Sequence, residues 1–280
     1  FNSLQMGMVA SDRVFKILDR DENISDTGKN NKVDFKGNIQ FKDVHFSYVA
    51  DHAVLRGISF DVKQGQSVAF VGATGAGKTS IINVLVRFYE IESGEVLLEG
   101  VNIKEFQLDL LRKNIAVVLQ DVFLFNDTIY GNISLGNTAI TKEQVIEAAK
   151  LIGVHEFISK LPGDYDYRVR ERGAMLSVGQ RQLLAFLRAY VYNPKVLILD
   201  EATSSIDTES EILIQKAITK LTEGRTSIII AHRLSTIKKC DNIIVLDKGL
   251  IVESGTHDEL ITRSGYYKKL YDYQFADVNV

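Results

Sequence analysis

Between an apolar run at Ser67–Val71 and a helical pattern at Ile81–Phe88 lie Gly72, Ala73, Thr74, Gly75, Ala76, Gly77, Lys78 and Thr79, followed by Ser80. The spacing is G-x-x-x-x-G-K-[ST], and a strand before it with a helix after it is the context that pattern needs. Phosphate oxygens require many donors at short range, so backbone N–H groups must curl inward. Glycines allow the curl and keep side chains out of the approach. The helix N-terminus adds the positive end of a dipole. In this arrangement Lys78 reaches the β- and γ-phosphates of a nucleoside triphosphate, and the Thr79 hydroxyl ligates Mg²⁺.

A second run, Val196–Asp200 (VLILD), reads as a buried strand ending in a carboxylate, with Glu201 next. In a parallel sheet, ligands gather at the carboxyl ends of strands. That puts Asp200 in the Mg²⁺ shell, usually through water, and Glu201 where it can orient or deprotonate an attacking water. Taken alone, an Asp-Glu pair after a strand reads as a solvated turn. The phosphate loop is what gives it meaning.

These groups need a scaffold. Strand patterns occur at Ile39–Phe46, Ile58–Val62, Ser67–Val71, Glu95–Leu98, Ile115–Leu119, Val196–Leu199, Ser227–Ile230 and Ile243–Leu246. Helical spacing covers Thr141–Tyr192, with Val145, Ala148, Ala149 and Ile152 on one face, and again about Glu209–Leu221. Strands alternating with helices predict an α/β fold whose mostly parallel sheet is covered on both faces. The helical insertion is expected to form its own lobe, about residues 121–192.

At the start, Phe1, Leu4, Met8, Phe15 and Leu18 make an apolar stripe at helical spacing. A polar stretch, Asp19–Lys32, follows and reads as a linker. The stripe fits either a helix docked on the domain behind it or the tail of a longer helix. Period alone does not separate these.

Composition narrows the field. The chain has 280 residues, 45% hydrophobic and 25% charged, which is ordinary for a folded domain with a sizeable core. A net charge of -3 argues against a broad basic face, so no nucleic-acid partner is expected. Cys240 is alone, which excludes an internal disulfide and any multi-cysteine metal centre and points to a reducing compartment. The chain opens at Phe1, with neither initiator Met nor signal-peptide pattern, as expected of a piece of something longer.

The segment Leu176-Ser177-Val178-Gly179-Gln180-Arg181-Gln182 resembles the signature motif of ATP-binding cassette ATPases, and it precedes Asp200 as in that family. The other cassette motifs are similar and in order: Tyr48 after the first strand, Gln120, Ser204–Asp207 and Ile229–His232. The resemblance covers about Gly37 to Tyr271. It implies the P-loop NTPase fold, with an antiparallel N-terminal β-subdomain and an inserted helical signature lobe. It also implies ATP and Mg²⁺ as ligands, with Tyr48 stacking on the adenine and Gln120 touching the metal or its water. His232 would contact the γ-phosphate and help fix Glu201. Ser177, Gly179 and Gln180 would cap the nucleotide held by a partner cassette, with Asp207 connecting the two sites, so that two cassettes act head to tail, as a homodimer or as a heterodimer with a different half. The third signature position, usually Gly, is Val178 here.

Cassette ATPases serve exporters, importers, translation factors and DNA maintenance. No heptad run separates the phosphate loop from the signature, and only one cassette is present. The helix at 1–18 resembles the end of an exporter's last transmembrane helix, and Glu171-Arg172-Gly173 resembles the exporter loop that senses the membrane domain. The resemblance therefore implies an exporter's ATPase domain at residues 37–280 behind a helix-and-linker segment at 1–36. It would sit at the cytoplasmic face of a membrane beside its transmembrane domain. The alternatives are a soluble cassette acting as a mechanical switch on a macromolecule, and a small-molecule kinase, which has no use for the signature.

Overall fold

The computed structural model describes residues 2–19, 24, 26, 28–30, 33–201, 208–231 and 234–275. It opens with helix α1 (Asn2–Leu18), followed by β1 (Ile39–Ser47), β2 (Ala53–Val62), β3 (Ser67–Val71), α2 (Lys78–Leu85), β4 (Ser93–Leu98) and β5 (Val101–Asn102). Next come α3 (Leu108–Lys113), β6 (Ile115–Val118), α4 (Ile129–Ser134), α5 (Lys142–Ile152), α6 (His155–Ser159) and α7 (Val178–Val191). The chain continues through β7 (Val196–Glu201), α8 (Thr208–Thr222), β8 (Thr226–Ala231), α9 (Leu234–Ile237), β9 (Asn242–Asp247), β10 (Leu250–Gly255), α10 (His257–Thr262) and α11 (Tyr266–Phe275).

The strands form the two sheets expected. One is antiparallel, in the order β2-β1-β4-β5. In β1, Ile39, Phe41, Val44 and Phe46 face the core, and an irregularity at Lys42–Asp43 keeps the later residues in phase. The other sheet runs β10-β9-β3-β8-β7-β6, with every pair parallel except β9/β10. Side chains alternate between its two faces. Val68 and Phe70 pack with Ile198 and Ile230 toward α2 and the antiparallel sheet, whereas Ala69 and Val71 pack with Leu197, Leu199 and Ile229 toward the helical lobe. A strand read as continuous hydrophobic, such as β8, is buried at all its positions because both faces are covered.

Short elements such as β5, α3 and α10 were not foreseen, and two larger differences from the sequence reading stand beside them. The helical stretch at 141–192 is not continuous. It stops at Gly153, whose φ is 81°, resumes briefly as α6, and breaks through Pro162 and Gly163 before α7 begins. The second is β10, unforeseen from sequence, which closes a hairpin through the two-residue turn Lys248–Gly249. Both turn residues have positive φ, the requirement of a turn whose twist matches its strands.

Every described side chain from Leu4 to Asp19 is exposed, so α1 does not bury its stripe against the domain. The stretch read as a linker is held, where it is described, along residues 105–108: Asn30 N–H donates to the Glu105 carbonyl at 2.9 Å, and Leu108 N–H donates to Asp26 Oδ1 at 3.1 Å. No helix among the described residues is long and apolar enough to cross a membrane.

Candidate functional site

Because β3, β6, β7 and β8 run parallel, their carboxyl ends lie along one edge of the sheet. The loop after β3, Gln120 beyond β6 and Asp200 in β7 therefore converge, though they are far apart in sequence. An open cleft of about 590 Å³ is lined there by Tyr48, Val54, Thr74, Gly75, Gly77, Lys78, Thr79, Ser80, Gln120, Asp200 and Ile230. Gly72, Ala73 and Ala76 complete the loop without lining the cleft.

The loop is braced on two sides. Gly77 has a φ of 107°, and a Cβ there would stand 2.9 Å from Leu55 Cδ2 in β2. On the other side, Gly249 N–H in the β9–β10 turn donates to the Ala76 carbonyl at 3.1 Å. Within the loop, Ala76 N–H donates to the Ala73 carbonyl at 3.1 Å. A loop clamped in this way presents its N–H groups without first having to be ordered.

Lys78 is 7% exposed, and its Nζ donates to the carbonyls of Gly72 at 2.7 Å and Ala73 at 3.0 Å. Burial lowers its pKa below the ordinary lysine value, and the Asp200 carboxylate works against that shift. Both carbonyls leave it one N–H for a phosphate. Ser80 is buried in the first turn of α2, and the Tyr48 hydroxyl donates to its Oγ at 3.1 Å. Tyr48 itself is 44% exposed.

Ser177, Gly179 and Gln180 do not line this cleft. Ser177 caps α7: its Oγ accepts from Gln180 N–H at 3.1 Å, and Gln180 Oε1 accepts from Ser177 N–H at 3.0 Å. Gly179 is buried and Gln180 half-buried, while Ser177 and Val178 are exposed and none of the four lines the cleft, so the helix end points outward, away from its own cleft's lining. A second cleft joins Gln120 to the signature helix, lined by Asp121, Val122, Phe123, Arg172, Val178 and Arg181. Arg172, from the loop singled out in the sequence, sits in the left-handed region at φ 53°. Glu201 ends β7 in register with Ala231; its side chain lies outside the described residues, as do Asp207 and His232.

Sequence reasoning missed two groups here. Asn83, one turn along α2, bonds Tyr48, and Tyr89 stacks edge-on against it. Beyond Gln120, an open groove of about 610 Å³ collects Leu119, Val122, Phe123, Phe125 and Leu135, with Arg112, Lys113 and Arg188 on its walls. The run Phe123-Leu124-Phe125 was the available signal: Leu124 is fully buried while both flanking aromatics are more than half exposed.

A family model described as ABC transporter matches residues 55–204. The exp8 protein of Streptococcus pneumoniae, an ABC transporter ATP-binding protein by name, is 51% identical over 276 residues, 98% of this chain and 47% of that protein. The ATP-dependent lipid A-core flippase of Haemophilus influenzae is 48% identical over 277 residues, again 98% of this chain and 47% of its own length. Among solved structures, a bacterial Atm1-family ABC exporter with ATP bound superimposes with a TM-score of 0.87 at 38% identity, covering 97% of this chain and 48% of that one. The chain thus spans about half the length of the curated relatives it matches. A phosphate loop and a strand-end carboxylate meeting in one cleft, on a fold shared along nearly the whole chain, lead to one conclusion: this chain belongs to the ABC transporter family, as an ATPase domain of the exporter type.

Proposed function

We propose that two such domains close head to tail around ATP, and that the closure drives export by a membrane domain of the same transporter. The observation that carries this reading is the division of the motifs. Tyr48, Lys78, Thr79, Gln120 and Asp200 share one cleft, while Ser177 caps an outward-facing helix end that does not line it. A phosphate-seeking helix N-terminus turned away from its own nucleotide site has a use when a second copy faces it.

In this scheme the loop amides and Lys78 hold the phosphates, and Tyr48 takes the base on its ring. The donors around Asp200 are all oxygen: the Thr79 hydroxyl, the Gln120 amide and the carboxylate. That set suits Mg²⁺, which is held by few protein ligands together with substrate phosphates. When bound, Mg²⁺ neutralises charge on the β- and γ-phosphates. Glu201 orients and deprotonates the attacking water, His232 steadies it against the γ-phosphate, and Asp207 links the two sites.

The membrane domain has two points of contact in this reading, which assigns residues 1–36 to the end of its last helix and a linker. The exposure of α1 all round supports that assignment over a helix docked on its own domain. The groove of Leu119, Phe123, Phe125 and Leu135 supports a second contact, since large exposed apolar residues gathered beside Gln120 mark an interaction surface. Arg188 of α7 donates to the carbonyls of Asn132 at 2.9 Å and Phe123 at 3.4 Å, tying the signature helix to the groove wall. The domain then works at the cytoplasmic face of the membrane that holds its partner. Turnover of ATP by this chain with Mg²⁺, abolished by chelation and rising more steeply than linearly with protein concentration, is the expected behaviour. Turnover strictly proportional to protein concentration down to dilute monomer contradicts the shared site.

A further inference from the structure

Tyr48 follows β1, and the phosphate loop belongs to the other sheet, yet the two are joined by a short polar chain. Asn83 Nδ2 donates to Tyr48 Oη at 2.8 Å, and Tyr48 Oη donates to Ser80 Oγ at 3.1 Å. The phenol uses its proton and a lone pair at once, which leaves its ring one orientation about that contact. Ser80 and Asn83 stand three residues apart on one face of α2, directly after Lys78 and Thr79. On the other side, the Tyr89 ring meets Tyr48 edge to face, with centroids 4.9 Å apart at 89°, and Phe46 does so at 4.7 Å and 81°. Phe46 is buried in the core, whereas Tyr89 is 46% exposed and closes a three-ring cluster by also meeting Phe46 edge-on, with centroids 5.8 Å apart at 60°. A ring that is half exposed at the end of a strand would otherwise turn freely.

We propose that Asn83 and Tyr89 are positioning residues for the nucleotide: they set the Tyr48 ring at a fixed distance from the phosphate-binding turn of α2, so that base and phosphates are measured against one rigid element. Neither touches the nucleotide. The proposal rests on the reading of Tyr48 as the base-binding ring. Pre-set geometry lowers the ordering that binding requires and so raises affinity for a ligand having both base and triphosphate. It does nothing for a ligand lacking the base.

The test compares binding of ATP and of inorganic tripolyphosphate to this chain by calorimetry, in wild type and in Asn83→Ala, Tyr89→Ala, Tyr48→Phe and Tyr48→Ala. Loss of the tether is expected to weaken ATP by roughly two- to tenfold in Asn83→Ala and in Tyr48→Phe, with tripolyphosphate binding unchanged. The double variant Tyr48→Phe/Asn83→Ala is expected to be no worse than either single one, because both cut the same link. Tyr89→Ala should show the same selectivity for ATP. If Tyr48→Ala weakens ATP while Tyr48→Phe, Asn83→Ala and Tyr89→Ala all bind it as wild type does, the tether is overturned and the base-binding reading stands. If Tyr48→Ala leaves ATP affinity unchanged, the base-binding reading itself fails. Equal weakening of ATP and tripolyphosphate in Asn83→Ala marks a distorted α2 and overturns the positioning role.

Discussion

The Asp200 carboxylate, at the end of β7, acts on the buried Lys78 ammonium after β3 across the intervening strand β8. Burial favours loss of the lysine proton and Asp200 favours keeping it, and burial is the larger effect. The two groups proposed to meet the opposite charges of a metal–triphosphate ligand are therefore coupled by the fold itself.

The coupling has a pH signature. Only the ammonium attracts phosphate, and its pKa lies below the ordinary lysine value, so ATP affinity should fall with rising pH sooner than an unperturbed lysine would allow. Removing Asp200's charge by Asp200→Asn removes the opposing influence and should move the fall to still lower pH. Lys78→Ala should weaken ATP by roughly ten- to a hundredfold, the loss of a charge-assisted contact, and abolish the alkaline dependence. Calorimetric titrations across neutral to alkaline buffers check all three.

Substitution can separate the cap that Ser177 makes on α7 from its proposed contact with a partner's phosphate. Aspartate is as good a helix cap as serine, so Ser177→Asp should keep α7 stable while setting a negative charge at the helix end. The variant should bind ATP as wild type does in dilute monomer and lose turnover. Ser177→Ala should cost about 1 kcal/mol of stability from the lost cap. Full turnover by Ser177→Asp would mean that this helix end faces no phosphate.

Glu99 predicts an acid-sensitive joint at the start of the domain. One of its oxygens accepts from the amides of Lys36, Gly37 and Asn38, and the other accepts from Asn38 Nδ2 at 2.8 Å. Burial works against the charge, but these hydrogen bonds outweigh it and hold the carboxyl below the usual glutamate range. A lowered folded pKa stabilises above the unfolded pKa, about 4.3, and the stabilisation is lost as pH falls through the folded value. Glu99→Gln should therefore lower the melting temperature in neutral buffer, and the gap to wild type should close in acid. Solvent screening at this half-exposed site keeps the effect to roughly 1 kcal/mol.

The brace around the phosphate loop can be broken from within. Gly77→Ala puts a Cβ at a φ of 107° and against Leu55, so it should cost about 1–3 kcal/mol and reduce ATP affinity together with stability. Denaturant melts with and without ATP separate the two losses.

How much of this was legible beforehand follows from what carries the signal. The phosphate loop, Asp200 and the signature are local patterns with fixed spacing, and the buried strands β3, β7 and β8 announce themselves as apolar runs. Contacts made only by folding were not legible. The Tyr48–Asn83 bond spans 35 residues, and nothing in Asn83's neighbourhood marks it. The groove at Phe123 and Phe125 depends on Leu124 turning inward, a choice fixed by the core and not by the sequence run. The break at 160–177 was signalled by Pro162 and Gly163, but flanking helical spacing concealed it. Strand β10 was hidden because none of its residues is fully buried and it carries the polar Glu253 and Ser254, and its turn has Lys248 where Asn or Asp is usual.

The central claim is an ATP site completed by a second copy. Its most direct measurement is the mass in solution of Glu201→Gln with and without ATP and Mg²⁺, beside wild-type turnover. The account predicts that ATP converts the variant from monomer to stable dimer while the wild type hydrolyses ATP. A variant that binds ATP yet stays monomeric at every concentration, or one that hydrolyses it as fast as wild type, would contradict it.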